Sequence, residues 1–157
     1  MKIIITEEQL KLIVENEDKG ENLLDLTGVY ESGVSPNKWD DMFLLLKEKK
    51  ERKGNKTYDG YYINGNVNLR ESEVIELKYL VKVEGNLDLR RSLIKSLPML
   101  SEVWGNFHLS GSKIESLPDG LSVGGDLFLS HTPLSKATTL KELRNKIEVK
   151  GGVLKWN

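Results

Sequence analysis

The sequence contains no cysteine, and only 7% of its 157 residues are aromatic. The lack of cysteine excludes disulfide bonds, thiolate catalysis and every metal site that uses a thiolate ligand. No apolar run approaches the ~20 residues that a membrane-spanning helix needs. At the start of the chain, acidic residues follow after only three isoleucines, which is not the pattern of a signal peptide. We therefore expect a soluble protein of the cytoplasm, with no membrane partner.

The chain also lacks an excess of charge of either sign. Its 23 Lys and Arg residues oppose 24 Asp and Glu residues, so the formal net charge is −1. Proteins that bind nucleic acid through bulk charge carry a basic excess, so the charge balance argues against nucleic acid as a partner. The hydrophobic fraction of 38% is enough for a core, while 30% of the residues are charged. This balance suits one elongated domain with a large polar surface.

What the sequence does contain is a repeat with a period of ~20 residues. A glycine is followed by a polar residue and then by apolar residues at alternate positions, and an aliphatic residue lies two positions before the glycine. The four copies are Gly65-Asn66-Val67-Asn68-Leu69, Gly85-Asn86-Leu87-Asp88-Leu89, Gly105-Asn106-Phe107-His108-Leu109 and Gly125-Asp126-Leu127-Phe128-Leu129. Four copies in register indicate a repeat architecture, in which stacked units bury a continuous core.

A period this short leaves no room for a pair of helices, so each unit should be one strand and a tight return. The alternation from Val83 to Leu89 is typical of a half-buried strand. The glycines would supply a positive φ or clear space where the chain turns. A hydroxyl column should point inward, where its hydroxyls can bond to backbone groups of the adjacent coil; it comprises Ser72, Ser92, Ser112 and Thr132.

The string from Leu87 to Ile94, Leu-Asp-Leu-Arg-Arg-Ser-Leu-Ile, resembles the L-x-L-x-x-N-x-L core of leucine-rich repeats, with serine in place of asparagine or cysteine. The match covers roughly residues 63–134. The longer pattern, which ends in Thr132-Pro133-Leu134-Ser135, is similar to leucine-rich-repeat-like proteins of large tailed bacteriophages. The resemblance implies an α+β repeat fold, a short parallel β solenoid with helical caps at both ends. It also implies a phage origin, and it brings no catalytic motif.

The segments that flank the repeat predict the caps. We expect residues 1–60 to form a helical N-terminal capping region, residues 61–136 to contain the four repeats, and residues 137–157 to form a C-terminal helix and a truncated fifth strand, all within one domain. In the N-terminal region, Thr6 and Gln9 form a capping-box pattern. A weaker helical segment lies near Glu21–Leu26, and Ser35-Pro36 should begin another helix.

The C-terminal segment should close the solenoid. A short helix is expected over Leu140–Ile147, after Thr138 and Thr139. The following Val149-Lys150-Gly151-Gly152-Val153 resembles the entry of another unit, although it arrives later after Val123 than the period requires, because the helix is inserted before it. With both ends capped, we expect the sequence to be complete rather than a fragment.

Residues with catalytic chemistry are few. His108 and His131 could approach each other and bind a metal, but no third ligand has a recognisable spacing, so solvated or packed histidines are favoured. No nucleophile motif surrounds the serines that follow the strands. We therefore expect no enzyme activity, no cofactor and no metal site.

The outward positions of the strands are the better candidates for function, because they vary while the core columns repeat. Packing does not explain an aromatic residue that points away from the core, and aromatic residues and arginine are enriched in interfaces. The alternative is that the terminal helices or a second copy cover Trp104 and Phe128. Asn66, Asn86 and Asn106 favour a structural hydrogen-bond ladder over a ligand site. The candidate binding residues are Arg70, Arg90, Trp104, Asn106, His108 and Phe128.

These residues predict a binding module that presents a rigid sheet face to a protein partner. The phage resemblance suggests a host-directed inhibitor or an anti-defence protein, active in the host cytoplasm. One alternative is a virion accessory or assembly protein with a surface for homo-oligomerisation. Another is a protein that sequesters a nucleotide, with Arg70 and Arg90 neutralising the phosphates and Trp104 stacking on the base.

Overall fold

The computed structural model describes residues 22–53 and 57–154. The helix expected after Thr6 and Gln9 lies outside the described residues. In chain order the strands are β1 (Leu23–Asp25), β2 (Gly60–Ile63), β3 (Val67–Asn68), β4 (Leu80–Val83), β5 (Leu87–Asp88), β6 (Glu102–Val103), β7 (Phe107–His108), β8 (Ser122–Val123), β9 (Leu127–Phe128), β10 (Glu148–Val149) and β11 (Val153–Leu154).

The strands stack in parallel as a β solenoid, as the repeat predicts. The first sheet has the order β1-β2-β4-β6-β8-β10, and the second sheet has the order β11-β9-β7-β5-β3. In the second sheet Leu87 pairs with Phe107 and Phe107 with Leu127. Each pairing joins equivalent positions of consecutive copies, so the sequence period is also the structural register.

Each coil contributes two short strands, so the prediction of one strand for each unit is wrong. The strand predicted from Val83 to Leu89 is interrupted at Glu84-Gly85-Asn86, and its two parts belong to different sheets. Inward and outward positions continue to alternate through this bend, because Val83, Leu87 and Leu89 are all fully buried. The alternation of buried and exposed residues is therefore the same for one continuous strand as for two strands joined at a corner.

The core consists of aliphatic and aromatic columns that run along the solenoid. The column of Val67, Leu87, Phe107 and Leu127 is at most 1% exposed, and equivalent columns line the other sides of each coil. The hydroxyl column also points inward, as predicted. Two of its hydroxyls donate hydrogen bonds to backbone carbonyls, from Ser92 Oγ to Leu89 O at 2.7 Å and from Thr132 Oγ1 to Leu129 O at 2.9 Å. Both bonds lie within one coil, so for these two hydroxyls the prediction of bonds to the adjacent coil is wrong.

The corner between the two sheets is held by a ladder of side-chain hydrogen bonds. The backbone N–H of Asn86 donates to Asn66 Oδ1 at 2.9 Å, and the backbone N–H of Asn106 donates to Asn86 Oδ1 at 2.7 Å. The ladder continues to Asp126 and to Gly152, whose N–H donates to Asp126 Oδ1 at 2.7 Å. The prediction of a structural ladder is confirmed.

Helices precede and follow the coils. They are α1 (Thr27–Glu31), a 3₁₀ helix (Pro36–Lys38) that leads into α2 (Trp39–Lys53), α3 (Pro133–Ala137) and α4 (Leu140–Lys146). The helix predicted near Glu21–Leu26 is wrong, because Leu23–Asp25 is β1, paired with β2. In the C-terminal segment Thr139 caps α4 with a capping box, and two strands, β10 and β11, extend the two sheets where one truncated strand was expected.

The N-terminal elements are joined to the first coil through polar side chains. Thr27 Oγ1 accepts a hydrogen bond from the backbone N–H of Asn64 at 2.8 Å, and Tyr30 Oη accepts one from the N–H of Asn68 at 3.0 Å. The carboxylate of Asp40, on α2, accepts bonds from Tyr61 Oη and the N–H of Lys78. These acceptors satisfy backbone donors at the start of the solenoid, where an uncovered edge could pair with another chain.

No helix of the described residues is long and apolar enough to cross a membrane.

Candidate functional site

The bend in each coil divides the outward side chains between two faces. We call the outer side of the first sheet the first-sheet face, and the outer side of the second sheet the second-sheet face. Trp104 follows β6 and belongs to the first-sheet face. His108 on β7 and Phe128 on β9 belong to the second-sheet face. Residues predicted to share one surface therefore lie on two.

Trp104 is the most exposed aromatic candidate, with 55% of its surface accessible. Its indole Nε1 donates a hydrogen bond to Glu102 Oε2 at 3.1 Å, and Lys82 Nζ lies 5.6 Å from the centre of its ring system. Together with Ser122 and Lys150, Trp104 lines a shallow depression of about 380 Å³. The hydrogen bond and the cation–π contact hold the indole against the sheet.

On the second-sheet face, the rings of His108 and Phe128 stack on each other. Their centroids are 4.3 Å apart and the ring planes differ by 8°. The two residues are register partners in adjacent strands, so the rings stack along the solenoid axis and turn their edges outward. Both side chains are half-buried, and neither belongs to the hydrophobic core.

Next to this ring pair, Asp88 and Arg90 form an ion pair on one strand end. Arg90 Nε lies 2.9 Å from Asp88 Oδ1, and Arg90 Nη2 also bonds to the carboxylate. The carboxylate additionally accepts the backbone N–H of Arg90 at 3.1 Å. The guanidinium hydrogen bonds lower the pKa of Asp88, and the same interaction raises the pKa of Arg90. One coil earlier, Asn68 Oδ1 accepts the equivalent hydrogen bond from the backbone N–H of Arg70.

Beyond the strand ends the chain turns through a left-handed residue in each coil. The φ angles are 59° at Glu71, 55° at Arg91, 75° at Gly111 and 58° at His131. Non-glycine residues with such φ values are uncommon. The turns line a depression of about 440 Å³, the arginine depression, whose lining residues are Arg70, Arg90, Arg91, Ser110, Gly111 and His131.

The structure thus brings together some of the predicted site residues and separates others. Arg70 and Arg90 share the arginine depression, and Arg90 adjoins the ring pair through Asp88. Trp104 lies in the other depression, which has no lining residue in common with the first. The side chain of Asn106 is an acceptor in the corner ladder.

Sequence reasoning overlooked Arg91 as a candidate. The signal in the sequence was weak, because the equivalent positions 71, 91, 111 and 131 are occupied by four different residue types. This column follows the outward strand positions, at the place where each coil turns. A residue there points to the same side as the strand ends, and Arg91 is charged and exposed.

The environment of His108 predicts how the ring pair responds to pH. Burial lowers the pKa of His108 below its usual value, because the charged imidazolium loses hydration; Asp88 and Asp126 act in the opposite direction, and Arg90 lowers the pKa further. A lowered pKa means that the unfolded chain binds the proton more tightly. The contribution of neutral His108 to stability is therefore complete above about pH 6.5, the usual value for histidine, and is lost as the pH falls below it.

We expect Phe128→Ala to shift the pKa of His108 upward, toward the usual histidine value, because the imidazole becomes more hydrated. A titration of the His108 ring signals by NMR measures this shift. Leu93→Ala, which removes an exposed side chain elsewhere on the surface, should leave the titration unchanged. An unchanged midpoint in Phe128→Ala would contradict burial as the cause.

Groups of three or more His, Asp or Glu side chains that could hold a metal ion do not occur within residues 22–53 and 57–154. His108 stacks on Phe128, and His131 lies in the left-handed turn. Comparisons of the chain with protein-family models, curated proteins and solved structures find no match.

Proposed function

We propose that the protein is a non-enzymatic binding module that presents the second-sheet face to a protein partner. The observation that carries the proposal is the stacked pair of His108 and Phe128, which lies outside the core and adjoins the Asp88–Arg90 ion pair. Aromatic side chains beside arginine are the typical composition of the energetically important part of an interface.

The rigidity of the coils supports the same proposal. The backbone of each strand in this face is fixed by pairing with its neighbours, and Asp88 holds the guanidinium of Arg90. Side chains that are already ordered lose little conformational entropy when a partner binds. The face can therefore bind without rearranging.

The resemblance of the repeat to leucine-rich-repeat-like phage proteins supports a narrower form of the proposal. In this form the protein is phage-encoded, acts in the host cytoplasm, and inhibits a host protein or a component of host defence. A nucleotide-binding function that combines Arg70, Arg90 and Trp104 is less favoured, because the arginines and the tryptophan line separate depressions.

Affinity capture from host cell extract, with mass spectrometry of the bound proteins, tests the proposal. We expect the double variant His108→Ala/Phe128→Ala to recover at least about tenfold less partner than the unchanged protein, because it removes the ring pair from the interface. The control is Leu93→Ala, which also truncates an apolar side chain, 42% exposed, but outside this face.

Equal recovery by the double variant and the unchanged protein would show that the second-sheet face is not the interface. If Trp104→Ala alone abolishes recovery, the interface is on the first-sheet face and the proposal fails in its choice of surface. If the chain captures mainly copies of itself, the result supports self-association, as expected for a virion assembly protein, and contradicts a host partner.

A further inference from the structure

We propose that the arginine depression and the ring pair together bind an acidic segment of a protein partner, with its carboxylates on the arginines and an apolar side chain against the rings. This inference rests on the proposed function and specifies the chemistry of the partner. It adds Arg91, which sequence reasoning did not select, to the binding residues.

The charges around the arginine depression are not balanced. Glu71 is shared by two guanidinium groups, with Oε1 3.7 Å from Arg70 Nε and 3.4 Å from Arg91 Nη1. Asp88 is the partner of Arg90. Among the arginines of the depression and their ion-pair partners, three guanidinium groups thus share two carboxylates, which leaves an excess of one positive charge. A carboxylate from a partner would complete the set, and arginine binds carboxylates through paired, charge-assisted hydrogen bonds.

The arginines have donors available for such a ligand. The contact of Arg70 Nε with Glu71, at 3.7 Å, is longer than a hydrogen bond, and the Arg70 side chain is 44% exposed. Arg91 contacts Glu71 through Nη1 and its side chain is 66% exposed. A guanidinium has five N–H donors, so each group can bind a further carboxylate without giving up its present partner.

The position of the ring pair indicates where the partner segment should carry an apolar side chain. Phe128, His108 and Asp88 are register partners in successive strands, so Phe128 and the coil of Arg90 are separated by two strand spacings, about 10 Å. An extended peptide covers that distance in about three residues. The partner segment should therefore carry an aromatic or aliphatic side chain about three residues from its acidic side chains.

The stacking of the two rings on each other reduces the ring surface that a nucleobase could use. Because His108 and Phe128 stack on each other along the solenoid axis, each ring already has one of its two faces occupied. A nucleobase stacks on an open ring face. The side chains of a peptide pack against ring edges without that requirement.

Fluorescence anisotropy with a labelled synthetic peptide tests the inference on the full chain. The probe contains one phenylalanine followed, three positions later, by two glutamates; a second probe has lysine in place of both glutamates. We expect the acidic probe to bind and the lysine probe to bind at least about tenfold more weakly. The double variant Arg70→Ala/Arg91→Ala should weaken binding of the acidic probe by a similar factor. The matched control is Arg144→Ala, which removes an exposed arginine of α4.

Equal binding of the two probes, or unchanged binding in the arginine double variant, would overturn the inference. Tighter binding of AMP than of the acidic probe, lost in the same double variant, would identify a nucleotide site and would also overturn it. Affinity capture of the partner distinguishes failure of this inference from failure of the proposed function. If its recovery depends on His108 and Phe128 but not on Arg70 and Arg91, the proposed function stands and only the acidic segment is excluded.

Discussion

Gly85→Ala is expected to lower the free energy of unfolding by about 3 kcal/mol, because the coil has no room for a methyl group at this position. A β-carbon on Gly85 would lie 2.5 Å from both the carbonyl carbon and the carbonyl oxygen of Gly65, and 2.8 Å from the backbone nitrogen of Asn66. All of these are backbone atoms, so no side chain can rotate to relieve the overlap.

The expected loss comes from separation of the two coils at the corner. Adjacent coils are joined there by the hydrogen bond from the N–H of Glu84 to Ile63 O at 2.8 Å and by the ladder bond between Asn86 and Asn66. A shift that accommodates the methyl group would lengthen both bonds. The φ of Gly85 is not in the left-handed region, so steric overlap, not backbone conformation, is the cause.

Gly152→Ala is the matched control, measured by the same urea denaturation. A β-carbon on Gly152 would have its nearest neighbour, Asp126 Oδ1, at 3.8 Å, which is an ordinary contact, and the residue does not have a positive φ. We expect its stability to change by less than about 1 kcal/mol, with a small gain from the reduced entropy of the unfolded chain. Similar stabilities for the two variants would refute the close approach of the coils at Gly85.

The architecture could be predicted from the sequence because the period of a repeat indicates which residues pair between adjacent coils. Equivalent residues of consecutive copies are the residues that pair in the sheets, as Leu87 and Phe107 do. The asparagine ladder followed from the same logic, since an identical polar residue in successive coils can bond to the next backbone. When the units stack, residues that are one period apart in the sequence become neighbours in adjacent coils.

The second sheet could not be predicted, because the alternation of buried and exposed positions does not change at the corner. Val83, Leu87 and Leu89 are buried whether or not the chain bends between them. The assignment of β1 failed for a different reason. The leucines of Leu23–Asp25 have good helix propensity, but pairing with β2 determines their conformation.

The unpredicted bend limited the prediction of the candidate site. A single strand would have placed Trp104, His108 and Arg90 on one surface, whereas the bend assigns Trp104 to the first-sheet face. The grouping of Arg70 and Arg90 was unaffected, because both lie on the same side of the bend. The turn that adds Arg91 to them depends on left-handed backbone at residues other than glycine, for which a single sequence carries only a weak signal.

Phe107→Ala is expected to cost about 3–5 kcal/mol, the usual range for truncation of a buried phenylalanine. Phe107 is fully buried, and its strand pairs with the strands of Leu87 on one side and Leu127 on the other. The truncation therefore leaves a cavity between two coils. Because each coil of a solenoid is stabilised mainly by its neighbours, weakening a central coil weakens the contacts on both of its sides.

Phe107→Leu separates the effect of the cavity from that of the aromatic ring. It makes the column resemble Leu87 and Leu127, and we expect a cost of less than about 2 kcal/mol because most of the buried volume is retained. Thermal and urea unfolding of both variants, with Leu93→Ala as the exposed control, measure the difference. If Phe107→Ala costs no more than Leu93→Ala, the column is not a close-packed core. If the unfolding of Phe107→Ala becomes biphasic while that of Phe107→Leu stays cooperative, the central coil couples the two ends of the solenoid.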